Sequence, residues 1–242
     1  MSFWRVRNMY MRDGTAGSHV KREAMTRSVS VLLAIVVVVS FAGCVQKKEL
    51  PPEVMRHVER TPEQQRVEAW QALMVSARNV SEREKLESIN AFFNTLEFVD
   101  DKENWGTEDY WATPREMLMR NGGDCEDFAT AKYLTLRSLD VPDENMRLVY
   151  VKSLRLNQPH MVLSYSHERF TDDPLILDNL TDRILPASQR ADLIPVYSFN
   201  GQGLWITRKQ GSYRLGGAKR LKPWRDLLFR FNQDASAASP SN

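Results

Sequence analysis

Apolar positions recur at helical spacing through the first half of the chain and alternate with polar ones through the second. Thr61-Pro62-Glu63-Gln64 joins an N-cap threonine, a proline at the first helical position and a glutamine three residues after the cap. Those are the features of a capping box, and Val67, Trp70, Met74 and Ala77 follow on one face. Ser81-Glu82-Arg83-Glu84 repeats the box and leads into Leu86, Ile89, Phe93 and Leu96. Thr113-Pro114-Arg115-Glu116 opens a third, short helix, which Asn121-Gly122-Gly123 is expected to stop. Asp124 is expected to cap a fourth helix, with Ala129, Tyr133 and Leu136 along one face and Cys125 in its first turn.

After Pro142 the period becomes two. Leu148–Ser153, His160–Ser166 and Leu175–Leu177 read as strands, and Leu204–Thr207 with Ser212–Leu215 as a hairpin around Lys209-Gln210-Gly211. Leu221–Phe231 reads as an amphipathic closing helix. Helices first and strands later predict an α+β fold, with helices packed on an antiparallel sheet.

Composition adds exclusions. With 242 residues, 42% hydrophobic and 26% charged, the chain is neither collagen-like, wholly disordered nor a polytopic membrane protein. The net charge of +2 conceals an asymmetry: residues 1–44 carry six Lys/Arg against two Asp/Glu, leaving 27 basic and 29 acidic side chains for the rest. A slightly acidic body gives no electrostatic reason to bind nucleic acid. The basic flank precedes the apolar run Val31–Val39 and then Ser40-Phe41-Ala42-Gly43-Cys44, the layout of a secretory signal; Met25 is a second candidate start. The apolar stretch 29–44 is shorter than the ~20 residues that span a bilayer comfortably. Phe41-Ala42-Gly43-Cys44 resembles a bacterial lipobox, with Phe where Leu is usual. It implies lipidation of Cys44, and Val45 favours the outer membrane; plain cleavage and an uncleaved anchor stand as alternatives. Residues 1–44 are thus expected to be leader, 45–60 a polar tether, 61–232 the folded domain and 233–242 a disordered Ala/Ser-rich tail.

The chain has two cysteines, Cys44 and Cys125. A lipidated Cys44 leaves Cys125 alone in an oxidising compartment, either as a buried inert thiol or as a reactive one. A helix N-terminus favours a thiolate through its free N–H groups and dipole, and the same groups can hold an oxyanion. A cysteine nucleophile needs a base, and the base an orienting acceptor. Of four histidines, His19 lies in the leader, His57 in the tether and His167 in a turn, so His160, opening His160-Met161-Val162-Leu163, is the candidate base. A structural histidine at a strand end is the alternative. Asp178 ends the apolar run Leu175-Ile176-Leu177, in a strand able to pair with that of His160, and is the candidate acceptor; the alternative is a turn former with Asn179. Asp124, Glu126 and Asp127 crowd Cys125, and their charge opposes a thiolate. A hard cation such as Ca²⁺ offsets that charge; otherwise Asp124 caps the helix while the other two complement its dipole. Trp105 and Trp111 are candidates for the core or a substrate groove, and Asn179 for positioning Asp178.

Gly122-Gly123-Asp124-Cys125-Glu126-Asp127-Phe128, Lys132-Tyr133, His160-Met161-Val162-Leu163, Leu177-Asp178-Asn179-Leu180, the stretch 190–200 and Gly203-Leu204-Trp205 resemble the bacterial transglutaminase-like cysteine proteinases, over roughly residues 85–208. The resemblance implies a papain-like, transglutaminase-like core, with Cys125 as nucleophile, His160 as base and Asp178 orienting it. It also implies calcium held at Asp124 and Glu126. As partners it implies a large surface adhesin, cleaved in its N-terminal region in the periplasm, and an inner-membrane receptor that senses cyclic di-GMP and sequesters the protease. Two other functions remain open from the residues: acyl transfer or amidase action on cell-wall or other peptides, and a non-catalytic binding lipoprotein.

Overall fold

In the computed structural model, residues 59–167, 173–208 and 211–238 are described. The leader with Cys44, and residues 45–58 of the tether, lie outside them. All three capping boxes form, each cap side chain meeting the third helical residue and that residue's side chain reaching back. They start α1 (Pro62–Ser76), α2 (Glu82–Phe93) and a short helix at Pro114–Arg120. Between the last two lie β1 (Glu97–Phe98) and α3 (Asp101–Asn104), so the Pro114 helix is α4.

Asn121, at φ 61°, ends α4 in the left-handed conformation. The two glycines after it serve a different purpose from the expected helix stop. They form β2 (Gly122–Gly123), parallel to β1. A Cβ on Gly122 would stand 2.5 Å from the Glu97 carbonyl oxygen, so bare backbone is what lets β2 approach. This pairing delivers the chain to α5 (Cys125–Ser138).

Helix α5 is buried on nearly every side from Asp127 to Leu136, beyond the single face expected. It packs against α2, α4 and the sheet. Two of its buried polar residues are matched: Thr135 Oγ1 accepts from the Trp70 indole at 3.1 Å, and Lys132 Nζ donates to Asn94 Oδ1 at 2.7 Å.

The sheet follows as β3 (Met146–Ser153), β4 (Gln158–Tyr165), β5 (Leu175–Asp178), β6 (Thr181–Pro186), β7 (Leu193–Phe199), β8 (Leu204–Arg208) and β9 (Gly211–Gly216). These seven strands form one antiparallel sheet in the order β6-β5-β4-β3-β7-β8-β9. The fold is α+β, as the element order implies. The expected pairing of the His160 and Asp178 strands is present, with Leu163 opposite Leu177. Strands β6 and β7 add to those read from alternation; Pro186 ends β6 and Pro195 interrupts β7. The main core lies between helices and sheet, around Phe93, Leu86, Ile89, Leu134, Leu163 and Phe199. Val151, Val162 and Ile176 form a smaller cluster.

The closing helix α6 spans Lys222–Ala238, so residues 233–238, expected in a disordered tail, are helical. Alanine favours that conformation, and the Thr113 hydroxyl donates to Asp234 at 3.1 Å, holding the last turns to α4. Among the described residues no helix is long and apolar enough to cross a membrane. Trp224 anchors α6, buried and edge-on to Tyr133 and Phe199. Trp224→Ala is expected to cost about 3–5 kcal/mol, read as a shift in the urea midpoint; a shift below 1 kcal/mol would detach α6 from the core.

Candidate active site

The β2–α5 junction places Cys125 as the first residue of α5, half-buried and free of any disulfide. Its thiol donates to Glu126 Oε2 at 2.9 Å, and the Met161 backbone N–H approaches the sulfur from β4. The residue before Met161 is His160, whose side chain is 2% exposed. Its Nε2 lies 2.8 Å from Asp178 Oδ1 at the end of β5. That leaves Nδ1 as the imidazole nitrogen able to exchange a proton with a thiol.

Asp178 is fully buried. Oδ1 also accepts the Leu180 amide at 3.1 Å, and Oδ2 accepts from Arg190 NH2 at 2.7 Å. The aspartate is therefore both the partner of His160 and a turn former, the two roles its sequence position left open. Burial pushes its carboxyl up, but the hydrogen bond and charge of His160, the Leu180 amide and Arg190 outweigh that and hold it at about 2. It is ionised throughout the neutral range.

On the other side of Cys125 the carboxylates gather, though not as the trio Asp124, Glu126 and Asp127. Asp124 and Asp127 group with Asp101 of α3, while Glu126 groups with Asp101 and Asp109; within each group the oxygens lie within 4.8 Å of one another. The grouping differs because the three sequence neighbours radiate from one helical turn, and Asp101 and Asp109 close the space between them from another segment. Asp101 Oδ1, Asp124 Oδ1 and Asp127 Oδ2 are buried and have no hydrogen-bond partner. Asp124 occupies the N-cap position but makes no capping hydrogen bond. One oxygen on each of three of these carboxylates is held in place: Asp101 by the Tyr110 amide, Asp127 by the Ala112 amide at 2.6 Å, Asp109 by the Trp111 indole at 3.0 Å. Gly123 lies so close to Asp127 that a Cβ there would collide with its side chain.

Three orphaned carboxylate oxygens in one buried group are costly unless protonated or bound to a cation. Burial, then the charges around it, raise Asp101 to about 6 despite the Tyr110 amide. Burial and the neighbouring carboxylates likewise drive Asp124 far up; burial alone is the largest cause for Asp127. An all-oxygen donor set of this kind fits a hard divalent cation.

Trp111 packs in the core, stacked on Phe199, and Trp105 lies tilted against Tyr110. The Asn179 side-chain oxygen is buried without a hydrogen bond, so no contact to Asp178 runs through it. His167 is exposed, as its turn position implied. Asp101, Asp109 and the link from Arg190 to Asp178 were not legible beforehand, since no periodicity or spacing joins residues that meet only through loops.

Burial pushes the Cys125 thiol well above its ordinary range, with Glu126 and then Asp124 adding to it. In chelator-treated protein, Glu126→Gln is therefore expected to speed alkylation of Cys125 by iodoacetamide at pH 7, about tenfold for each unit by which the thiol falls. A rate equal to wild type, followed by mass spectrometry, would remove Glu126 from the account.

The family model of the bacterial transglutaminase-like cysteine proteinases matches residues 46–210. Legionella pneumophila LapG, in an EGTA-treated structure, shares 41% identity over 71% of this chain and 91% of its own, with a TM-score of 0.65. Its calcium-bound structure has the same identity over 71% and 92%, with a TM-score of 0.61. No curated protein matches the chain. A family match over more than half of the sequence, and a shared fold at that identity, establish that this chain belongs to the bacterial transglutaminase-like cysteine proteinases and is a cysteine protease.

Proposed function

We propose that this protein is a calcium-dependent cysteine endopeptidase of the periplasm that cuts the N-terminal region of a large surface adhesin and so releases it, controlling biofilm dispersal. The observation that carries the chemistry is the His160–Asp178 pair, buried beside a thiol at a helix N-terminus. The substrate class follows the resemblance of the motifs around Cys125, His160 and Asp178 to the bacterial transglutaminase-like cysteine proteinases. Tethering through a lipidated Cys44 at the outer membrane would keep the enzyme near such an adhesin. A cyclic di-GMP-sensing inner-membrane receptor is the proposed partner that withholds it.

In this mechanism His160 Nδ1 takes the proton of Cys125, and Sγ attacks the scissile carbonyl carbon. The oxyanion that forms faces the N–H groups of the first turn of α5, whose dipole stabilises it. His160 returns the proton to the leaving amine as the C–N bond breaks, leaving a thioester on Cys125. It then deprotonates a water that attacks the thioester, and the thiol is regenerated with release of the acid. Asp178, ionised, holds the imidazole in the tautomer with a proton on Nε2 and stabilises its cation. Asp101, Asp124 and Asp127, with Glu126 and Asp109 alongside, are the residues that would hold calcium. When bound, calcium neutralises the carboxylates next to Cys125 and favours the thiolate.

Purified protein is expected to cleave the N-terminal region of the organism's largest surface adhesin. Cys125→Ala and an excess of EGTA are each expected to abolish cleavage, followed by gel and by sequencing of the new termini. Cleavage that survives EGTA would end the calcium claim. Products carrying an added amine, in place of a free carboxyl, would replace hydrolysis with acyl transfer.

Calcium should also act on stability, with a definite sign. Asp101 rises from its ordinary 3.8 to about 6, so between those values the folded state keeps a proton that the unfolded chain loses. Stability of the chelated protein therefore falls as pH rises through that window, and Asp124 and Asp127 act in the same direction. Calcium replaces those protons, so the rise in Tm on adding it should grow from pH 5 to pH 8. At a hundredfold excess over Kd it should reach about 5–10 °C. A calcium effect on Tm that shrinks with pH in differential scanning calorimetry would contradict this.

A further inference from the structure

We propose that Arg190 is a positioning residue for the reaction: it fixes the second oxygen of Asp178 so that the first is aimed at His160. The inference rests on the assignment of His160 and Asp178 proposed above, and it adds a residue that touches neither substrate nor thiol.

Asp178 is held at three places. Oδ1 takes His160 Nε2 and the Leu180 amide. Its main-chain oxygen takes Asn94 Nδ2 at 3.0 Å, and Asn94 is in turn held by the buried Lys132. Oδ2 takes Arg190 NH2, the hydrogen bond described for that oxygen. Without it, a buried carboxylate oxygen has no donor, and the carboxyl group is free to rotate toward whatever donor it finds.

Arg190 is itself built to stay in place. Its side chain is 7% exposed. Asp192 receives it in a fork, from Nε and NH2 at 3.0 Å each, and this leaves NH2 pointing at Asp178. A 3₁₀ turn at Ala187–Gln189 precedes it, with the Arg190 amide bonded to the Ala187 carbonyl and the Leu193 amide bonded to the Arg190 carbonyl. The turn delivers one planar, permanently charged donor group between two carboxylates, which a flexible ammonium does less well. Lys132 acts behind Asp178 through Asn94 on the main chain. The two side chains therefore divide the work: Lys132 supports the turn, while Arg190 sets the direction of the carboxylate.

The test compares wild type with Arg190→Met, Arg190→Gln, Arg190→Lys and Asp178→Asn in the calcium-loaded protein. It reads kcat and KM on the adhesin fragment, and separately the low-field proton resonance of the His160 Nε2–H. Arg190→Met and Arg190→Gln are expected to lower kcat by about ten- to a hundredfold with KM little changed, and to weaken the resonance. Arg190→Lys keeps a charged donor and should recover much of both. If the methionine variant does not fold, the glutamine and lysine pair decides, since both keep a donor and only lysine keeps the charge. A folded Arg190→Gln protein with wild-type kcat and an intact resonance would overturn the proposal. Loss of the resonance in Asp178→Asn without loss of cleavage would instead overturn the His160–Asp178 assignment. If wild type cuts no adhesin, the resonance alone still decides for or against Arg190.

Discussion

Concentrated negative charge around the first turn of α5 is the constraint to which the rest of the structure answers. Asp101, Asp124, Glu126 and Asp127 converge beside a thiol that is useful only when it is itself an anion. A helix N-terminus relieves part of that load through its dipole. The relief is limited, because burial removes the water that would screen the charges. The orphaned oxygens of Asp101, Asp124 and Asp127 show where the protein's own hydrogen bonds stop. On the function proposed above, a cation would complete the arrangement and couple the state of the nucleophile to the concentration of a metal.

On the opposite side of Cys125 the electrostatics are inverted. Asp178 is buried yet ionised, because an imidazole, a backbone amide and a guanidinium each spend a donor on it. Lys132 is buried in the same region, lowered to about 7 by burial against the opposing pull of Asp178 and Asp182. The thiol thus sits between a cluster that lacks positive charge and one that contains it. Carboxylates beside the sulfur oppose the loss of its proton, so this polarity works against thiolate formation until the carboxylates are neutralised.

Sheet and helices serve that layout through their order. Strand β4 brings His160 to the start of α5, β5 ends at Asp178, and the connection from β6 to β7 returns Arg190 to it. The glycines of β2 let the segment before Cys125 press against β1, which fixes the direction in which α5 leaves. Helix α6 closes the far side through Trp224 and ties its last turns to the cap of α4.

Much of this was written in local sequence. The three capping boxes mark the starts of α1, α2 and α4 to the residue, because capping is satisfied within four positions of the chain. Alternation marked β3, β4, β5 and the β8–β9 hairpin, and the position of His160 near the start of one strand and Asp178 at the end of the next anticipated the contact between them. Other features needed the folded chain. A proline inside β7 and charged residues through β6 broke the alternation there, and the small residues at the end of α6 resembled a tail until Thr113 supplied a partner. Asp101, Asp109 and Arg190 act only through contacts between segments distant in sequence, and the grouping of the acidic residues around Asp101 follows from how α3 lies against α5. Local hydrogen bonding and side-chain periodicity determined the elements and placed the candidate site residues along them; only packing decided which charges share one low-dielectric space, and so which are paired and which carboxylate oxygens are left without a donor.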